Sequence, residues 1–128
     1  MKPVLVDTSV WRRFFGGGSS VRRLGELLDE EDLVLTHPWI IGELVLGGMS
    51  RNEELLLERL PSAIPVPHQE VLEVIRRRGL TRRGIGWVDV NVLASALASS
   101  ATLWTLDSDL EQAARELAVV FDQSRTSS

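Results

Sequence analysis

Val4-Leu5-Val6 is an uninterrupted apolar run that stops at Asp7, and Thr8 and Ser9 then supply the side-chain oxygens with which helices begin. A short run without polar alternation suits a strand buried on both faces of a parallel sheet. The helix that follows holds Val10, Trp11, Phe14 and Phe15. A carboxylate is thus placed where a central strand hands over to a helix. Open α/β sheets gather their ligands at that end of their strands.

The rest of the chain repeats the alternation. Gly16–Ser20 is a flexible loop; it follows a helix and lacks the GxGxxG or GK[ST] pattern of a nucleotide-phosphate loop. Residues 20–30 read as an amphipathic helix and 33–35 as a second strand. Thr36-His37 caps a helix with Pro38 in its first turn, which runs to Gly47-Gly48. A helix over 51–60 ends at Pro61, and 63–66 is a third strand whose proline favours a sheet edge. A helix over 68–78, a basic glycine-containing loop to Gly86 and an alanine-rich helix over 88–99 follow. Then come a strand at 102–106, a helix over 108–118 and a short strand at 119–121. This pattern predicts an α/β fold: a mostly parallel sheet of four to five short strands with helices on both faces. We expect a single domain over residues 1–122 and a frayed tail at 123–128.

Composition narrows the chemistry. A chain of 128 residues holds one core, and without cysteine it has no disulfide, thiolate zinc site or cysteine nucleophile. No apolar stretch approaches the ~20 residues needed to span a bilayer, and the start lacks a signal-peptide pattern, so a cytoplasmic protein is the default expectation. The net charge of −4 argues against holding nucleic acid by bulk charge. Yet all but one of the 14 basic residues are arginine, clustered at Arg12-Arg13, Arg22-Arg23, Arg76-Arg77-Arg78 and Arg82-Arg83. Arginine forks suit phosphate oxygens; any one pair could equally be a solvated helix face.

Four acids stand alone in apolar surroundings. Asp7 is the only charge between Pro3 and Trp11, Glu43 between Pro38 and Met49, and Asp89 between Gly84 and Leu106; Asp107 directly follows the strand 102–106. Ionised carboxylates are costly to desolvate, so each must reach solvent, pair, or bind a cation. Asp7 and Asp107 end strands, whereas Asp89 and Glu43 lie near helix starts, and in an α/β sheet these share one rim. Asp7, Asp89 or Asp107 could each serve as a helix cap. Glu43, in a second turn, has no capping role to fall back on. Four carboxylates on one rim select a hard divalent cation, Mg²⁺ or Mn²⁺, a setting for phosphodiester hydrolysis. The two histidines, His37 and His68, form no HExxH pattern and read as cap or surface residues.

At this point the chain resembles the PIN-domain ribonucleases, and within them the VapC toxins of bacterial toxin–antitoxin pairs. The stretches that carry the likeness are VLVDTSVW (4–11), PWIIGELVLG (38–47), GIGWVDVNVLASALA (84–98) and ATLWTLDSDL (101–110), in order. The resemblance implies a three-layer PIN-like fold and a Mg²⁺- or Mn²⁺-dependent endoribonuclease. It also implies an RNA substrate, a cognate antitoxin that holds the enzyme in check, and a homodimer. Its four acids fall on Asp7, Glu43, Asp89 and Asp107, with Asp109 matching a further acid of some members and Thr8 or Ser9 a hydroxyl that supports the first. Asn91 is a mild departure beside Asp89. We expect Asp7, Asp89 and Asp107 as metal ligands and Glu43 as the group that orients or deprotonates water. Arg12, Arg13, Arg82 and Arg83 are the candidates for gripping RNA phosphates.

Two other phosphate chemistries fit less well. Haloacid-dehalogenase phosphatases need a second Asp where Ser9 stands, and a response-regulator receiver needs a late lysine, whereas Lys2 is the only one. The remaining alternative is a PIN-like module that has lost catalysis and acts through protein or RNA partners. The apolar residues Trp39, Leu46, Leu55, Leu56 and Leu57 exceed what one small core should hide, and suggest a dimer contact or an antitoxin groove.

Overall fold

The computed structural model describes residues 1–123; most of the tail expected at 123–128 lies outside them. Strand β1 (Val4–Val6) is the centre of the sheet, with β2 (Val34–Leu35) on one side and β3 (Thr102–Trp104) on the other, all parallel. All three β1 side chains are fully buried, as the unbroken apolar run requires. The register pairs Val4 with Val34 and Thr102, and Val6 with Trp104.

The sheet is narrower than the four to five strands expected. Among the described residues there are three strands, and the two outer segments contribute only isolated parallel bridges, Thr36 to Ser62 and Leu103 to Val120. The first lies beside β2 at a sheet edge, as the proline of 63–66 suggests, and the second lies beside β3 at the other edge. Pro61 and Pro65 flank the first bridge, and proline has no N–H to extend a ladder. The second segment enters from a left-handed residue, Ala118 (φ 59), and makes one exchange: Leu103 N–H donates to Val119 O and Phe121 N–H to Leu103 O.

Among the described residues seven α-helices accompany the strands: α1 (Thr8–Phe15), α2 (Arg23–Leu28), α3 (Pro38–Leu46), α4 (Arg51–Glu58), α5 (His68–Arg78), α6 (Trp87–Ala98) and α7 (Ser108–Glu116). The helix expected over 20–30 is shorter, because a 3₁₀ turn at Ser19–Val21 precedes α2. One apolar core joins Val4 to Phe121 and includes Trp11, which stacks on Phe15 with ring centroids 5.5 Å apart. Leu57 belongs to that core and is fully buried, so its expected place on an interaction surface is corrected: it faces inward from α4. Trp39, Leu46, Leu55 and Leu56 are exposed as expected.

The start of α3 is tied to the middle of α6 by a buried histidine. His37 Nδ1 accepts the N–H of Trp39, the cap role expected of it, so its other nitrogen carries the proton. That Nε2–H faces Ser95 Oγ at 3.1 Å. Burial lowers the His37 pKa below its ordinary value. A group with a depressed folded pKa binds more protons when unfolded, so stability should fall as pH drops below about 6.5. His37→Asn keeps a capping oxygen but cannot take up that proton. Urea unfolding at pH 7.5 and 5.5 should show a loss in the wild type that the variant lacks; an equal loss in both would mean that His37 takes up its proton equally in the folded and unfolded states.

Candidate active site

Asp7 leaves β1 at the N-cap position of α1, yet its side chain makes no capping hydrogen bond. It is 5% exposed. Its Oδ2 accepts two hydroxyl protons, from Ser9 (2.8 Å) and Thr105 (2.8 Å). Each hydroxyl has one proton to give, so the 3.4 Å approach of Ser9 Oγ to Thr105 Oγ1 adds no donor. Both hydroxyls instead accept backbone N–H groups, Ser9 from Leu106 and Thr105 from Asp107. The end of β1 is thereby fastened to the end of β3.

The other acids arrive from three helices. Glu43 projects from the second turn of α3 and accepts the Thr8 hydroxyl at 2.7 Å. Of the two hydroxyls that were alternatives for one role, Ser9 bonds Asp7, whereas Thr8 bonds Glu43. Asp89, in the first turn of α6, accepts the Gly86 N–H at 3.0 Å. Asp107 caps α7, accepting the Leu110 N–H at 2.9 Å. Capping and clustering therefore coexist in Asp89 and Asp107.

The four carboxylates feel one another. Burial pushes the Asp89 carboxyl above the ordinary aspartate range; the Gly86 N–H opposes this, and the charges on Asp7, Asp107 and Glu43 add to the rise. Among the described residues none of the ion pairs involves any of the four. Nor do any three acids or histidines already stand as a ready ligand set. These two observations are compatible. Each carboxylate is tethered to the protein through one oxygen, which leaves its other oxygen without a protein donor. An all-oxygen donor set with four negative charges and no cationic side chain paired to it fits a hard divalent cation.

Asp109 is directed at Gly84. Its Oδ2 is 2.6 Å from the point where a side chain on Gly84 would begin, and Gly84 has φ +78, so only glycine suits that turn. It packs against the 79–86 loop and does not enter the charge interactions of Asp89. Arg83 pairs with Glu116 of α7, so its fork already has a carboxylate partner. Arg82 is exposed with φ 60. Arg12 and Arg13 line an open cavity of about 610 Å³ with Ser9, Gly16, Gly18, Leu106 and Asp107, directly beside the acids. Among the described residues Arg12, Arg13 and Arg82 have no ion-pair partner.

Thr105 was not apparent from the sequence, although a hydroxyl two residues before Asp107 in an otherwise apolar strand end was a usable signal. Asn91 donates to Trp87 O at 2.9 Å, closing its own helix turn.

With this geometry in hand, the comparisons with known proteins are direct. The family model described as the PIN domain matches residues 4–116. The chain belongs to the PIN-domain family. Ribonuclease VapC32 of Mycobacterium tuberculosis, in strains CDC 1551 / Oshkosh and ATCC 25618 / H37Rv alike, is 41% identical over 119 residues, covering 91% of this chain and 94% of the relative. PAE2754 from Pyrobaculum aerophilum, known from a crystal structure, is similar in fold with a TM-score of 0.66, over 96% of this chain and 90% of that one. Its 17% identity bears on fold alone.

The charge cluster of this PIN domain has a consequence for stability. Asp89 has a raised folded pKa, so without a counter-ion the folded chain binds more protons than the unfolded one. Stability should then fall as pH climbs from about 3.9, the unfolded aspartate value, through the raised one. Asp89→Asn keeps an oxygen for Gly86 N–H and removes the charge, so in EDTA at pH 7 it should melt above wild type. Saturating Mg²⁺ should raise the wild type more than the variant. A variant that melts lower in EDTA, with no Mg²⁺ effect on either, would make Asp89 a cap and nothing more.

Proposed function

We propose that this chain is a Mg²⁺- or Mn²⁺-dependent endoribonuclease, the toxin of a toxin–antitoxin pair, and that residues 1–122 act as one nuclease domain. The observation that carries the reading is the gathering of Asp7, Glu43, Asp89 and Asp107 at one rim with no cationic partner. Membership of the PIN family and the likeness to a protein named ribonuclease VapC32 supply the substrate class and the toxin role. No helix among the described residues is long and apolar enough to cross a membrane.

The roles follow from each tether. Asp7, Asp89 and Asp107 would hold the cation, each with one oxygen fixed by the protein and one left over. Bound there, a divalent cation lowers the pKa of water and steadies charge on the leaving oxygen. Glu43, held by Thr8 and only half-buried, would orient the attacking water or take its proton. Thr105 and Ser9 keep Asp7 aimed. Arg12 and Arg13 grip phosphates beside Asp107, with Arg82 a further candidate; Arg83 is the least available because of Glu116.

Asp7→Asn and Asp89→Asn should each reduce cleavage of single-stranded RNA in Mg²⁺ by several orders of magnitude while the chain stays folded. Asp109→Asn should change the rate far less. Thr105→Val should lower kcat and cost about 1–3 kcal/mol of stability, the usual loss when a buried carboxylate forfeits a donor. Near wild-type cutting by Asp7→Asn or Asp89→Asn would disprove the metal assignment. Cutting by neither wild type nor variant, in any divalent metal, would favour a module that acts by binding alone.

The partner surface is a separate matter. Val45, Leu46, Leu55 and Leu56 are exposed on the neighbouring helices α3 and α4, with Leu46 90% accessible. An aliphatic stripe of this kind suits a homodimer contact or an antitoxin helix. Leu46→Lys with Leu56→Lys should halve the mass of the isolated chain in light scattering if the stripe joins two copies. An unchanged mass, with unchanged binding of the neighbouring antitoxin, would clear the stripe of both tasks.

A further inference from the structure

On the rim of the acids lies a group of aromatic rings with no part in the chemistry above, although the sequence suggests one of them, Trp39, for a dimer contact or an antitoxin groove. Trp39, at the start of α3, and Trp87, the first residue of α6, have ring centroids 6.3 Å apart, and His68, the first residue of α5, lies 5.2 Å from Trp87. Three helix starts therefore bring their first aromatic residues together on the rim that carries the carboxylates. Trp39 and Trp87 are 40% and 38% exposed, in contrast to Trp11 and Trp104 at 0% and 3%. Large rings are not left half in water without cost, and these two hide little of the core.

Their position relative to the acids is fixed by helix geometry. Trp39 and Glu43 are four residues apart in α3 and so share a face, with Trp39 one turn nearer the helix start. Trp87 stands two residues before Asp89 in the first turn of α6, a spacing that puts the two on different faces, so it adjoins the acids through its ring contact with Trp39. The arginines lie elsewhere, around Ser9 and Asp107. The tryptophan pair thus adjoins the Glu43 side of the site, and the candidate phosphate-gripping side chains its Asp107 side.

We propose that Trp39 and Trp87 form a base-stacking subsite that holds one unpaired nucleobase of the RNA next to the scissile phosphate. The proposal rests on the ribonuclease reading above. Unstacked bases of single-stranded RNA bind aromatic faces without regard to sequence, because every base offers a π-face. The two indoles are inclined at 52°, so they cannot sandwich one base in parallel. One ring carries the base, and the other, with His68 behind it, closes the side of the wedge. A strand anchored through phosphates at Arg12 and Arg13 and through a base at the tryptophans would be drawn taut across the carboxylates. A second copy of this chain is a weaker occupant: the patch is small and bordered by acids, whereas the aliphatic stripe of α3 and α4 is better suited to protein.

The test uses the full chain and four substitutions, Trp39→Ala, Trp87→Ala, Trp87→Phe and Asp89→Asn. With wild type in Mg²⁺, KM for a single-stranded RNA should rise about ten-fold in each alanine variant, the usual effect of losing one base–ring stack, while kcat changes less. Trp87→Phe should recover most of the loss. In the slow-cutting Asp89→Asn chain, a nine-nucleotide RNA should quench the emission of the exposed tryptophans. An abasic ribose-phosphate strand of equal length should bind at least ten-fold more weakly. Unchanged KM in both alanine variants, or equal binding of the abasic strand, overturns the subsite. A fall in mass by light scattering in the alanine variants, with KM unchanged, assigns the rings to self-association instead. If wild type cuts no RNA in any divalent metal, the ribonuclease reading fails first, and the subsite with it.

Discussion

A buried carboxylate without a cationic partner is the constraint on which this structure turns. Asp7 is almost removed from water, and only two hydroxyl donors, Ser9 and Thr105, are turned toward it. Burying an ionised group in this way is costly unless hydrogen bonds and a counter-charge offset it. The hydroxyls supply the first, and no arginine or lysine among the described residues supplies the second. At Asp89 burial raises the carboxyl above its ordinary range, and the charges on Asp7, Asp107 and Glu43 add to the rise. The fold tolerates this because a fully buried β1 and a continuous core hold the strand ends in place regardless.

A parallel sheet explains how acids so distant in sequence come to share a rim. Strand ends and the starts of the helices that follow them lie on the same side of such a sheet. Asp7 and Asp107 belong to the ends of adjacent strands, and Asp89 and Glu43 to early turns of α6 and α3. The same logic assembles the aromatic cluster, since Trp39, His68 and Trp87 also occupy helix starts. One topological fact thus provides charge, hydroxyl supports and stacking surface together.

Much of this was legible in the sequence, for identifiable reasons. A lone charge in an apolar stretch is a local signal, so Asp7, Glu43, Asp89 and Asp107 stood out without any structure. The central strand was equally plain, because three consecutive apolar residues between polar ones leave little choice. The sheet edges were not, because a single-residue bridge leaves almost no pattern and prolines at 61 and 65 interrupt even that. Leu57 looked like its neighbours Leu55 and Leu56, and only the rotation of α4 turns it inward. The division of labour between Thr8 and Ser9 was invisible for another reason: Thr8 serves Glu43 across 35 residues, and no local rule reaches so far.

Thr105 shows most clearly where sequence reading stops and packing takes over. Its hydroxyl gives its one proton to Asp7, 98 residues away, and receives the backbone N–H of Asp107. One oxygen therefore sets the separation between two of the acids. It can do so only in the register that pairs Val6 with Trp104 and lets Asp7 N–H donate to Trp104 O. A slip of one residue between β1 and β3 would turn Thr105 to the opposite face and bring a large apolar side chain, Trp104 or Leu106, against the carboxylate. Leu103 and Trp104 oppose that slip, since both faces of the strand are buried and exchanging a leucine with a much larger tryptophan would leave a void on one face and a clash on the other. The geometry of the acid site is thus enforced by hydrophobic burial in the sheet, with the hydroxyls making the final adjustment, and the loops around it need supply no precision of their own.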